Sequence, residues 1–225
     1  MRFQDAARDA RAVVYAGIQA DPLVGQAAEQ LAGATLGQRV LARAVMNGET
    51  TDPAAWRATF PGLFGSDAGD PAAHARSEAI LAASLAVAER GEQVRSQFRG
   101  AIVEELTARL LARRVGSDGV RRERRVLFDG VRAEIHPYDV TVERTEAAEV
   151  YDCKWGARGI NADVLHQLDD ARIHAADEDE PLVVALVVFD AARSCSVRLD
   201  AQTAPHEGTA IITLETLDAL TERPA

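Results

Sequence analysis

The sequence predicts an α/β protein, a mixed β-sheet flanked by helices, preceded by an all-α N-terminal region. Three observations carry that prediction. Residues 1–90 are rich in Ala and contain three Asp-Pro pairs, a helix-starting signature. After Gly116-Ser117-Asp118-Gly119 the apolar period changes from helical to alternating. Leu182 to Phe189 is an unbroken apolar run of strand length. The 225 residues are 47% hydrophobic, enough for one domain with a sizeable appendage or for two small domains. The division read from the pattern is a helical region at 1–90 and an α/β domain at 91–225.

Each element has its own signal. Asp21-Pro22, Asp52-Pro53 and Asp70-Pro71 join a good N-cap to the residue best tolerated at the first helical position. Thr35 to Asn47 carries Leu36, Val40, Leu41 and Val45 at helical spacing, and Gly48 ends it. Pro61 to Gly69 reads as a loop. From Pro71 a helical pattern runs towards Val115, with a break near Gly91 or Gly100. Its last part carries Ile102, Val103, Leu106, Leu110 and Leu111 on one face. Arg124 to Phe128 reads as a strand closed by the hairpin signal Asp129-Gly130. Val131 to Val142 contains a second strand and Glu149 to Trp155 a third. Ile160 to Ala176 reads as a helix with Leu165, Leu168 and Ile173 on its apolar side. Leu182 to Phe189 is the buried central strand. Val197 to Leu199 and Ala210 to Thr213 read as edge strands, and Leu214 to Leu220 as a short terminal helix.

The formal charge of -10 is uneven: net -2 over 1–90, +1 over 91–158 and -9 over 159–225. Overall acidity argues against a general nucleic-acid coat. Within the middle block, Arg113, Arg114, Arg121, Arg122, Arg124 and Arg125 crowd together, opposed by Asp118 and Glu123. That stripe is either a phosphate track or a solvated helix end and strand edge. The longest apolar run is too short to span a bilayer, so no membrane partner is expected. The first residues lack the apolar core of a signal peptide, and the isolated Cys153 and Cys195 fit a reduced, cytoplasmic setting.

Among 25 basic residues only Lys154 is a lysine. Lys carries a compact, tunable charge, whereas Arg is effectively always protonated, so a position that takes Lys alone points to chemistry. Asp152 and Lys154 share one face of the third strand, and Cys153 points the other way into the core. Pairing with the second strand brings Asp139 beside Asp152. Two carboxylates that close repel unless a divalent cation lies between them, and hard oxygen ligands suit Mg²⁺, with Mn²⁺ as a substitute. A neighbouring Lys can position or help deprotonate an attacking water. The plain alternative is a pair of solvated acids on a half-exposed sheet with a local Lys partner. Trp155 reads as core, with base stacking the alternative. His136 and His166 read as structural or solvated.

This pattern resembles the PD-(D/E)XK nuclease superfamily, with its restriction-endonuclease-like fold. The family's first acid follows a Pro, and its second motif is an acid, any residue, then Lys. Here these are Asp139, with Pro137 two residues earlier, and Asp152-Cys153-Lys154. Gly100-Ala101-Ile102-Val103-Glu104-Glu105 is similar to the Glu helix of Mrr-type members and favours Glu104 over Glu105. Gln167 stands where such nucleases carry a Gln after the Lys, although Ala171 replaces their usual Tyr. The resemblance covers about residues 92–200 and implies a restriction-like sheet core. It implies Asp139, Asp152, Glu104 and the Cys153 carbonyl as metal ligands, with Lys154 and Gln167 in the catalytic set.

The reading that follows is a Mg²⁺-dependent DNA endonuclease of restriction, phage defence or repair. The Arg stripe would contact phosphates, and residues 1–90 would supply a homodimer or partner contact. The competing readings are an inactive restriction-like fold serving as a binding or assembly subunit, and a nuclease acting on RNA or branched DNA.

Overall fold

The computed structural model describes residues 1–6, 10–65, 70–129, 131–132, 136–144 and 147–222, with backbone alone for 10–12 and 131–132. The chain divides into two compact units, residues 10–106 and residues 1–9 with 107–225. The division falls past residue 90, inside a helix. No helix among the described residues is long and apolar enough to cross a membrane.

The helical unit holds α1 (Ala10–Gln19), α2 (Pro22–Ala32), α3 (Leu36–Asn47), α4 (Pro53–Thr59), α5 (Pro61–Phe64), α6 (Pro71–Ala88) and the first part of α7 (Glu92–Val115). Asp21, Asp52 and Asp70 cap α2, α4 and α6 as their Asp-Pro pairs predict. Each carboxylate accepts a backbone N–H two residues on, at 2.9 Å. Thr35 and Gln38 close a capping box on α3. The Gln38 amide also donates to the Ala73 carbonyl and the Ser77 hydroxyl of α6 at 2.9 Å, so one side chain caps a helix and ties two together. Leu31, Leu41, Val45, Met46, Ile80 and Leu81 are buried. Of the apolar residues at helical spacing in α3, Leu41 and Val45 are buried, whereas Leu36 and Val40 stand 44% and 40% exposed. The long helical pattern breaks between Ala88 and Glu92, and Gly100 lies inside α7. The loop expected from Pro61 opens with the single turn of α5; residues 66–69 lie outside the described residues.

The other unit is a mixed α/β layer, as the pattern predicts. Its strands are β1 (Arg2–Asp5), β2 (Val120–Phe128), β3 (Val131–Arg132), β4 (Tyr138–Val142), β5 (Ala148–Lys154), β6 (Leu182–Val188) and β7 (Ala210–Ile212). The sheet order is β1-β2-β4-β5-β6-β7, with β3 paired to β2. β2, β4 and β5 are antiparallel neighbours, whereas β6 is parallel to β5 and β7 to β6. A parallel neighbour needs a crossover, and α8 (Ala162–Asp177) supplies it between β5 and β6. Leu165, Leu168 and Ala171 of α8 pack on Val150, Val184 and Leu186 of the sheet. β2 pairs antiparallel with β3, Phe128 opposite Val131, and Asp129 stands at φ 46°; Gly130 lies outside the described residues.

Four further expectations are corrected. Residues 2–5 form an edge strand on β2, not part of a helical region. Val197 to Leu199 lie in helix α9 (Ala192–Asp200) rather than an edge strand. A helix places Cys195 and Leu199 on one side, where both meet the core, and leaves Val197 65% exposed. Ile173 of α8 is 43% exposed instead of buried. The terminal helix is a short 3-10 segment, Leu217–Thr221.

A buried ion pair fastens the C-terminal turn of α7 to β5. Arg114 donates to both Glu149 oxygens, at 2.8 and 2.5 Å, with each side chain 5% exposed. The Tyr151 hydroxyl also donates to Glu149, and burial first, then that carboxylate, pushes the phenol far above its usual range. Glu149→Gln leaves Arg114 charged without its partner. Urea denaturation should show a loss of about 3–5 kcal/mol.

Candidate active site

The β4–β5 ladder carries its last backbone pair at Val140↔Tyr151. Beyond it a side chain takes over: the Cys153 N–H donates to Asp139 Oδ2 at 2.6 Å. Asp139 is therefore fixed to the strand that carries Asp152 and Lys154. Cys153 points away, with Sγ 3.5 Å from the Thr107 hydroxyl, as strand alternation predicts. Both cysteines are buried, and among the described residues neither forms a disulfide.

Lys154 donates to Asp152 Oδ1. The Lys154 side chain is 27% exposed and that of Asp152 8%. Burial alone would lower the lysine pKa. The charges of Asp152 and then Asp139 outweigh it and hold the pKa above the ordinary lysine value. The ammonium form is thereby favoured beside two acids, where it can donate hydrogen bonds and stabilise negative charge.

A further acid escaped the sequence reading. Glu123 sits in β2 between pairs Arg122↔Val140 and Arg124↔Tyr138, level with Asp139. Its φ of 52° is a left-handed conformation that a non-Gly residue rarely adopts in a strand. Carboxylate oxygens of Glu123 and Asp139 lie within 4.8 Å of each other, a spacing that fits a shared divalent cation. Among the described residues Asp152 is not in that grouping; it pairs with Lys154 instead. The available signal was weak: one acid in the run Arg121-Arg122-Glu123-Arg124-Arg125.

Gln167 is 3% exposed on α8. Its amide brackets the His136 backbone, accepting from the N–H at 3.0 Å and donating to the carbonyl at 3.1 Å. It therefore orders the segment that leads into Asp139. His136 and His166 themselves are exposed. The Trp155 ring stacks on Phe189 at 5.0 Å, which places it in packing. Glu104 belongs to the helical unit. It is 5% exposed and accepts from Tyr15 Oη at 2.5 Å and from the Gln19 amide at 2.8 Å, whereas Glu105 is half-buried. Tyr15 and Gln19 stand four apart on α1, so one helix face serves both carboxylate oxygens.

Two arginines assigned to phosphate contact are already used. Arg114 is neutralised by Glu149. Arg124 pairs with Glu143 at 2.6 Å and with Asp5, which hold its guanidinium above its ordinary pKa. Neither offers a charge to a ligand without first losing these acids. Arg113 and Arg121 are exposed, and Arg122 and Arg125 half-buried.

No family model, curated protein or solved structure matches this chain.

Gln167→Ala removes both bonds to His136. It should cost about 1–3 kcal/mol and raise amide exchange at Tyr138 and Asp139 while leaving α7 protected, as read by hydrogen exchange.

Proposed function

We propose that this chain is a divalent-metal-dependent nuclease of the PD-(D/E)XK kind, hydrolysing DNA phosphodiesters. One observation carries the reading: the sole lysine donates to Asp152 on the strand to which Asp139 is bonded, where the β4–β5 ladder ends. The mixed sheet flanked by helices supports it, because that is the core the resemblance implies.

In this reading Asp139 and Asp152 would hold Mg²⁺, with Glu123 adjoining Asp139 and the Cys153 carbonyl completing the set. A bound Mg²⁺ supplies Lewis acidity at the phosphate and an acidified water. Lys154 orients that water and offsets charge on the attacked phosphate. Gln167 keeps the Asp139 approach in place. Arg113, Arg121, Arg122 and Arg125 guide the phosphate backbone, and the helical region joins a second copy or a partner.

The test is cleavage of plasmid and single-stranded DNA with Mg²⁺, Mn²⁺ or EDTA. Metal-dependent cutting should fall at least about 100-fold in Lys154→Ala, with metal affinity little changed. Absence of both cutting and metal binding would replace this reading with the binding-subunit alternative. Arg122→Ala should weaken DNA binding evenly across sequences and reduce the salt slope by about one.

A further inference from the structure

The turn after β5 is shaped around the stem of Lys154. Gly159 N–H donates to the Gly156 carbonyl at 2.8 Å, and Ile160 N–H to the Ala157 carbonyl at 3.0 Å, closing a tight 3-10 turn. A Cβ at Gly159 would lie 2.8 Å from each of Cβ, Cγ and Cδ of Lys154. Carbon atoms do not approach that closely, and the Lys154 Cβ is fixed by the strand backbone and cannot swing away. Gly159 has no left-handed backbone to explain its identity, since the positive-φ glycines among the described residues are Gly116 and Gly208. What the position demands is space.

The turn is pinned from behind. Asp190 follows β6 and is 7% exposed. Its Oδ2 accepts the Ala157 N–H at 3.0 Å and its Oδ1 the Ala191 N–H at 2.8 Å. The Lys154 carbonyl accepts the Phe189 N–H at 2.8 Å, and Arg198 of α9 donates to the Ile160 carbonyl at 2.9 Å. The turn is thus fastened at both ends and in the middle.

We infer that Gly159, backed by Asp190, is a positioning residue: the turn forms a wall along the Lys154 stem that directs its ammonium at Asp152 and Asp139. A lysine stem has four rotatable bonds, and a rigid wall removes the rotamers that would carry the charge elsewhere. Its catalytic meaning rests on the nuclease reading; its structural content does not.

The experiment exploits the single lysine. Protein labelled with ¹³C at lysine Cε gives one side-chain signal, with two distinct proton resonances if the stem is fixed. Gly159→Ala should collapse that pair towards one averaged resonance while circular dichroism and cooperative unfolding persist. Gly91→Ala, with open space around its Cβ, should match wild type. Asp190→Asn keeps the size but leaves one carbonyl oxygen for two amides. It should give an intermediate spectrum, and it decides the question if Gly159→Ala does not fold. Wild-type resonances in a folded Gly159→Ala, or in Asp190→Asn where that variant decides, would overturn the inference. If the wild type cuts DNA, Gly159→Ala should lower kcat about 10-fold or more with KM within about twofold. If it neither cuts nor binds metal, the nuclease reading fails and the lysine spectrum still decides the role of Gly159.

Discussion

A charged lysine set among mostly buried groups is the constraint that shapes the sheet unit. Burial disfavours the charge on Lys154, and Asp152 and then Asp139 favour it more strongly. Each acid must then be held against its own tendency to swing into water. Asp152 lies within β5, flanked by parallel pairing to β6. Asp139 lies where the β4–β5 ladder gives out and is secured by the Cys153 N–H. Sheet register, the clamp of Gln167 on His136 and the turn before α8 all serve to keep these charges within reach of one another.

Charge elsewhere in this unit is used for construction. Arg114 with Glu149, and Arg124 with Glu143 and Asp5, bind helix to strand and strand to strand. Such pairs recover in Coulomb energy part of what desolvation costs, and geometry decides the balance. The Arg stripe is therefore mixed: Arg114 and Arg124 hold the fold, Arg113 and Arg121 reach solvent, and Arg122 and Arg125 are half-buried. An arginine count alone overstates the surface available to a polyanion.

What the sequence disclosed follows the range of each interaction. The Asp-Pro caps, the capping box at Thr35, α8 and the apolar β6 are written in neighbouring residues and were legible. The placement of Asp152 and Lys154 on one strand and of Asp139 on its neighbour was legible, because strand alternation and one antiparallel pairing relate them. β1 was not, because four residues without a turn signal gain strand character only from β2, more than a hundred positions away. α9 misled because Val197-Arg198-Leu199 alternates in polarity, while the burial that decides it falls on Cys195 and Leu199. Glu123 was hidden by its basic neighbours and by a backbone kink that no residue type announces. The fates of Arg114 and Arg124 depended on acids 35 and 19 residues away, beyond any local pattern.

The central claim is that a divalent cation belongs beside Asp139, and it is open to direct observation. Mn²⁺ added at stoichiometric amounts to ¹⁵N-labelled protein broadens amides within reach of the ion. The account predicts selective loss of the Cys153, Asp152 and Glu123 amide signals, abolished in Asp139→Asn. Broadening spread over the acidic residues 159–225, or unchanged in Asp139→Asn, would contradict it.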